Sequence, residues 1–457
     1  MDKKKLCFAL GTLGLLAISL TNPQRAIEVG AVQASSPTSS SLSGKMTIDL
    51  RDNKESEIRS YYSSLNSLPQ SERTGDNLLK NLKPILQNFN YYSYDNVWKI
   101  YEITDRDWSL SPASSTEYGS YDASSNKIID YQFGTTSTPR NNPYVQTLYR
   151  NRGDDGSIVE GGRIRAWGSH NADGTNREHV WCQSRGFKAP SGAEGPAGTD
   201  VHHLISGDGY VNQSVHNNNP YGEVDPSSIK TDGKEKYAYD AGNILGKPRK
   251  TSTNDESTVV FEPQDCDKGD IARACFYMAA CYNNLANESG VITQYNPNLT
   301  LVDYATSNGD SEESSDTHPV AMGILSDLLK WHKLDPVDEY EIHRNNLIYN
   351  NFQHNRNPFI DFPGWVDLIW GEGKGTTYAN PAGDKIYEKT SLPEEESESP
   401  SNEKFSLSQQ QIIFIGVGVG VVVLLIIILL VVSPKFRKKA MKGAKKQIKK
   451  SAKKKKK

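Results

Sequence analysis

The stretch that decides the reading opens with Arg177-Glu178-His179-Val180-Trp181 and continues through Gly198-Thr199-Asp200-Val201-His202-His203-Leu204. Asp208-Gly209-Tyr210-Val211-Asn212 follows, and Asn219-Pro220-Tyr221-Gly222-Glu223-Val224 closes it. Metal-ligand and proton-transfer side chains are gathered here. Short alternating runs among Gly, Asn and Asp predict strands and long loops around them. On a regular strand the adjacent Glu178 and His179 point to opposite faces, and a local twist lets one hold a cation while the other addresses a water.

The flanks read as helical. Leu78, Leu79, Leu82, Ile85 and Leu86 recur at helical spacing, and Val97-Trp98-Lys99-Ile100-Tyr101 follows. Ile271, Ala274, Cys275, Met278 and Tyr282 predict a helix with one apolar stripe, and Ile324, Leu325, Leu328, Leu329 and His332 predict another. Asp335 and Pro336 read as N-cap and first-turn proline of a helix running toward Phe352, ended by Asn357-Pro358. Helices and short strands without regular alternation make the fold class α+β.

The 457 residues sum to a formal charge of −3, but the charge is segregated. Residues 434–457 carry 14 basic and no acidic side chains, residues 1–34 carry a net +2, and 35–433 carry −19. Lys3–Lys5 ahead of an apolar run to Leu20 read as a secretory signal peptide over 1–34, with Val32-Gln33-Ala34 at its cleavage site. Ser35–Gly44 is Ser/Pro-rich, so 35–60 reads as a flexible lead-in, and 61–372 as the catalytic domain. Residues 373–411 read as an acidic Ser/Pro/Glu stalk and 412–433 as a transmembrane helix, its uncharged apolar run matching a hydrocarbon core of about 30 Å. The Lys-rich tail, 434–457, then stays cytoplasmic against anionic lipid, and the ectodomain faces outward from a single-pass anchor. No obligate protein partner is expected. Outside the cell, Cys182, Cys266, Cys275 and Cys281 are permitted disulfides, with three connectivities open.

No Walker-type phosphate cradle, GxSxG elbow or HExxH zinc motif occurs. The residues present suit phosphodiester hydrolysis, which needs a base for water and a cation to neutralise charge developing on phosphate. A hard ion such as Mg²⁺ takes a few protein oxygens and keeps several waters. Glu178 and Asn212 supply a carboxylate and an amide carbonyl, and His179 has an imidazole suited to general-base work.

Taken together, these blocks resemble the bacterial endonuclease I family of secreted, non-specific nucleases, which carry a ββα-metal (His-Me finger) active site. Phe261-Glu262-Pro263, Lys268–Met278, Leu329–Val337 and Asn355–Asp361 extend the likeness in order, from about Tyr61 to Gly371. The resemblance implies His179 as general base at the end of the finger's first strand. It implies Glu178 and Asn212 as ligands of one Mg²⁺, with Mn²⁺ or Ca²⁺ as substitutes and Asn212 on a helix starting near Asp208. The implied substrate is DNA, with RNA also admitted, and the implied products carry 5′-phosphate ends. Arg177, Arg185, Lys188, His216, Arg344, Gln353 and Arg356 are candidates for phosphate or substrate contact, with Asp200, His202 and His203 as structural groups near the site. Cys182 stands where the family usually has Pro, Ile205-Ser206-Gly207 where a more basic or Pro-containing turn is expected, and Val215-His216 where Arg-Ser is common.

Two rival readings follow from the same residues. The departures at Cys182 and Val215 admit a non-catalytic surface module that binds nucleic acid, and His179, His202 and His203 admit a zinc-dependent hydrolase. The local charge favours a polyanion: Arg163, Arg165, Arg177, Arg185 and Lys188 make 163–188 basic within an acidic ectodomain.

Overall fold

The computed structural model describes residues 37–387 apart from 109–111, 116–118, 135–143, 151–162, 166–174, 188–194, 234, 241, 250–257, 284–296 and 306–321. The expected signal peptide, the transmembrane segment, the Lys-rich tail and Lys188 lie outside the described residues. Among the described residues no helix is long and apolar enough to cross a membrane.

The helix Lys268–Cys281 is the centre of the molecule. Sequence periodicity predicts one apolar stripe, yet Lys268, Gly269 and every residue from Ile271 to Cys281 are buried. The polar side chains are absorbed by specific partners: Arg273 is paired with Glu341 at 2.5 Å and with Asp270 at 3.3 Å. Such a helix is stabilised by neighbours on all sides rather than by one face. Against it pack Gly75–Leu86 (the Leu78/Leu82/Leu86 face) and Leu325–Leu334. Gly75 packs directly onto the backbone of Leu368, a contact that leaves no room for a Cβ.

A second cluster lies beside the finger. Val97–Thr104 contributes Val97, Ile100, Tyr101 and Ile103, which cluster with Leu347 and Ile348 of Glu339–Asn351, with Phe352 just after it, and with Val201 and Leu204. The Glu339 helix begins later than Asp335-Pro336 predicts. Asp338 accepts from the Glu341 N–H while Glu341 reaches back to the Asp338 N–H, a reciprocal cap. Asp335 instead receives the Gly269 N–H. Nor does Asn357-Pro358 end that helix, which stops at Asn351; Asn357 caps a new short helix, Pro358–Asp361.

Among the described residues the sheets are small. Here β1 (Lys45–Asp49), β2 (Ser120–Asp122) and β3 (Lys127–Gln132) form an antiparallel sheet ordered β1-β3-β2. Tyr144–Gln146 (β4) pairs with Arg163–Arg165 (β5), Thr175–His179 (β6) with Leu204–Asp208 (β7), and Ile244–Gly246 (β8) with Val260–Glu262 (β9), all antiparallel. Thus Ile205-Ser206-Gly207, read from sequence as a turn, is strand. The reading of 35–60 as a flexible lead-in gives way at Lys45–Asp49 and at the helix Glu55–Tyr61. At the other end Tyr378 is buried and the Tyr387 N–H donates to the Asp361 carbonyl, so the folded body extends into the expected stalk. Cys182, Cys266, Cys275 and Cys281 are all free thiols.

Glu102 offers a test of this packing. Its carboxylate is buried, accepting from the Tyr131 hydroxyl at 2.8 Å and the Gly134 N–H at 3.1 Å. Burial pushes it up from 4.5 to about 7 in spite of those donors. The folded protein therefore holds a proton that the unfolded chain has lost between those values, and stability falls as pH rises through that window. Glu102→Gln, whose carbonyl can accept from the Gly134 N–H while its NH2 donates to the Tyr131 hydroxyl oxygen, should flatten this slope in urea denaturation followed from pH 4.5 to 7. An unchanged slope would count against the burial argument.

Candidate active site

The β6–β7 hairpin and the turn after it carry the site. Register places Arg177 opposite Ser206, Glu178 opposite Ile205 and His179 opposite Leu204. Asp208 ends β7 and caps the next turn, its Oδ1 accepting from the N–H groups of Tyr210 and Val211. The helix Gly209–Val211 runs on as a wider π-turn, Asn212–His216. A third segment joins the hairpin in parallel at Leu148 and Gly207: the Leu148 N–H donates to Ser206 and the Asp208 N–H to Leu148.

His179 and Glu178 do lie on opposite faces of β6, each in its own polar environment. The His179 ring stacks on Tyr94 with centroids 5.6 Å apart. Its Nε2 is 2.8 Å from the Gly198 carbonyl, which can only accept, so Nε2 carries the hydrogen and Nδ1 keeps its lone pair. The Gln183 amide lies 3.0 Å from Nδ1 on the half-exposed side. Burial lowers His179 to about 4, so the imidazole is neutral at neutral pH. This is the tautomer and charge state a base requires.

The Glu178 carboxylate is almost wholly buried. Oε1 accepts from the Tyr149 hydroxyl at 2.8 Å and lies 2.8 Å from His216 Nδ1. The hydroxyls of Tyr149 and Tyr221 are 2.6 Å apart; Tyr149 spends its hydrogen on Glu178, so Tyr221 donates to Tyr149. Burial, then Glu178, push the Tyr149 hydroxyl well above its ordinary range, and it keeps its proton. His216 stacks on Tyr221 at 4.7 Å. Burial opposes its charge, yet Cys182 and Glu178 beside it push it up to about 10. The two sequence departures at Cys182 and His216 thus lie against one another. Gly207 completes the setting: a Cβ there would come within 2.8 Å of Glu178 Cβ.

The donor set fits a hard divalent ion. Both close contacts on Glu178 fall on Oε1, and no donor among the described residues is recorded at Oε2. Asn212 turns its Nδ2 toward the carbonyl of Arg177, the neighbour of Glu178, at 3.4 Å, and its Oδ1 is an amide oxygen of the kind a hard ion takes. Zinc is less well served. Among the described residues no three His, Cys, Asp or Glu side chains gather to hold a metal. His203 bonds the Ala197 carbonyl through Nε2, and His202 Nε2 faces Asn355, each away from a shared centre.

The remaining candidates separate clearly. Arg177 lies at the site, its guanidinium 3.4 Å from the Tyr94 ring centroid and donating to the Tyr94 carbonyl at 2.6 Å. Arg185 is fully buried and donates to the Asn218 carbonyl. His216 faces Glu178, not a surface. Arg344 pairs with Asp105 at 2.9 Å, Gln353 donates to Asp200 at 3.0 Å, and Arg356 forks onto both oxygens of Asp361 at 2.8 Å. The expectation of phosphate contact gives way at these buried positions, because their donors are spent inside the protein. Asp200 anchors Gln353, Tyr277 and Tyr282 beneath the hairpin. Sequence reasoning missed Tyr94, Tyr149, Gln183 and Gly207. Tyr149 in particular sits 29 positions from the Glu178 it serves, in a short run with no motif.

A two-stranded hairpin followed by a short helix, with an imidazole and a carboxylate back to back on its first strand, sits within an α+β protein. The chain belongs to the endonuclease I family, which residues 74–364 match. It is similar to the extracellular ribonuclease of Bacillus subtilis (strain 168), 34% identical over 298 residues, covering 65% of this chain and 75% of the relative. The extracellular ribonuclease of Bacillus amyloliquefaciens is 34% identical over 300 residues, 66% of this chain and 76% of that protein.

The reassignment of Arg356 is testable. Removing one partner of a buried ion pair strands the other charge, so Arg356→Ala should lose about 3–5 kcal/mol in urea denaturation. A phosphate-contact role would instead leave stability unchanged and lower the salt dependence of nucleic-acid binding.

Proposed function

We propose that this chain is an extracellular, metal-assisted endonuclease that hydrolyses the phosphodiester backbone of DNA and RNA with little sequence preference. The observation that carries the reading is the division of labour on β6: a neutral, carbonyl-anchored His179 on one face and, on the other, a Glu178 whose Oε2 meets no donor among the described residues. In this reading His179 Nδ1 takes the proton of the attacking water, which displaces Gln183 from that nitrogen. Tyr94 and the Gly198 carbonyl hold the ring while it does so. Glu178 Oε2 and Asn212 Oδ1 would hold one divalent ion, Mg²⁺ by preference, which when bound neutralises charge on the phosphate and leaving oxygen. Arg177, pinned over Tyr94 beside the site, favours the approach of the polyanion. Attack by water needs no 2′-hydroxyl, so this chemistry admits DNA as well as RNA, the substrate named for the Bacillus relatives. Products then carry 5′-phosphate ends.

The cleanest discrimination is end chemistry together with one variant. His179→Ala should lower cleavage of plasmid DNA and of RNA by about 10²–10⁴-fold while the protein stays folded. Ends of the 2′,3′-cyclic phosphate type, with DNA left intact, would refute attack by water.

Location is argued from the ends of the sequence. The apolar 412–433 with its basic flank supports retention as a single-pass protein, the nuclease outside. Chelator-sensitive nuclease activity should then sediment with membranes and act on substrate added to intact cells. Full release of that activity into the medium would remove the anchor from the reading and leave the chemistry standing.

A further inference from the structure

Tyr149 occupies a conformation that its side chain does not favour. Its φ is 68°, in the left-handed region, where a bulky residue persists only if its surroundings enforce it. They do so through both ends of the residue. The Tyr149 N–H donates to Asp267 at 2.6 Å, and its carbonyl accepts from Asn243 at 2.9 Å. The side chain is fully buried, and its hydroxyl reaches Glu178 Oε1 with Tyr221 behind it. On the same oxygen sits His216 Nδ1, a charge contact at 2.8 Å rather than an aligned hydrogen bond, with the imidazole wedged against Tyr221 and Phe261.

A carboxylate rotates about its last bond unless its oxygens are made unequal. Here two groups from different segments meet one oxygen, while no donor among the described residues meets the other, so the rotation is set through Oε1. We propose that Tyr149 and His216 are positioning residues that fix Oε1 of Glu178 and so present Oε2 to a divalent ion. This rests on the reading of Glu178 as a metal ligand. Partners that orient a ligand in this way typically change metal affinity by about 10–100-fold when removed.

The test uses the full-length chain and Mn²⁺ as probe, with free Mn²⁺ followed by electron paramagnetic resonance. Tyr149→Phe and His216→Leu should each weaken Mn²⁺ binding by about 10–100-fold, with His216→Gln restoring part of the loss. Binding of a DNA oligonucleotide in chelator should stay at the parent level, and unfolding in chelator reports whether each variant folds. Folded variants that hold Mn²⁺ within about twofold of the parent would overturn the positioning role. Glu178→Gln separates the two levels. If it too binds Mn²⁺ normally, the ligand assignment itself fails; if it alone loses binding, only the role of Tyr149 and His216 fails. Should His216→Leu not fold, Tyr149→Phe, the loss of one oxygen atom, decides.

Discussion

The buried ion pair between Asp105 and Arg344 is the joint on which the site depends. Asp105 ends the helix Val97–Thr104, and its Oδ2 accepts the Ser206 N–H of β7 at 2.8 Å. Arg344, on the helix Glu339–Asn351, meets Asp105 Oδ1 and donates to the carbonyls of Val201 and Leu204. One pair of charges thus ties two helices to the second strand of the finger and to the loop that enters it. Two buried charges cost several kcal/mol to desolvate, and the additional hydrogen bonds are what make the arrangement tolerable. Its yield is geometry: β7 is fixed, β6 is fixed against it, and the back-to-back pair on β6 inherits that rigidity.

The same logic recurs around the hairpin. Gln353 and Asp200 brace the entry to β7, Asp267 and Asn243 brace Tyr149, and Asp208 braces the turn that delivers Asn212. Polar residues are spent on orientation inside the protein rather than displayed on its surface. This is the physical reason that four of the arginine and amide positions that read as substrate contacts (Arg185, Arg344, Gln353 and Arg356) turn out to be internal.

Much of this was legible in the sequence where the signal was local. Leu78 to Leu86 and Leu325 to Leu328 announce their helices by spacing, and the blocks around Glu178, His179, Asp208 and Asn212 carry the family resemblance that implied two strands and a following helix there. What failed was whatever depended on distant partners. The Lys268–Cys281 helix reads as one-sided because its polar residues look solvated, when Arg273 is in fact neutralised by Glu341, 68 positions away. Asp335-Pro336 fits a local capping rule, but Asp335 is taken by the distant Gly269 N–H and the cap falls to Asp338, while Asn357 caps a new short helix rather than ending the previous one. Tyr149 could not be found at all, because its function resides in a backbone conformation and in contacts made across the fold.

The long reach of those contacts bears on the order in which the site is assembled. Asp49 bonds Asn351 across 302 positions, and Gln353 reaches back 153 positions to Asp200. A chain that emerges from its N-terminus exposes Glu178 and His179 long before the segment 339–361 that locks the hairpin in place. The nascent polypeptide therefore carries its chemical groups without their alignment. Alignment of the hairpin groups waits for the last helices of the folded body, which supply Gln353 and Arg344 to its entry and second strand.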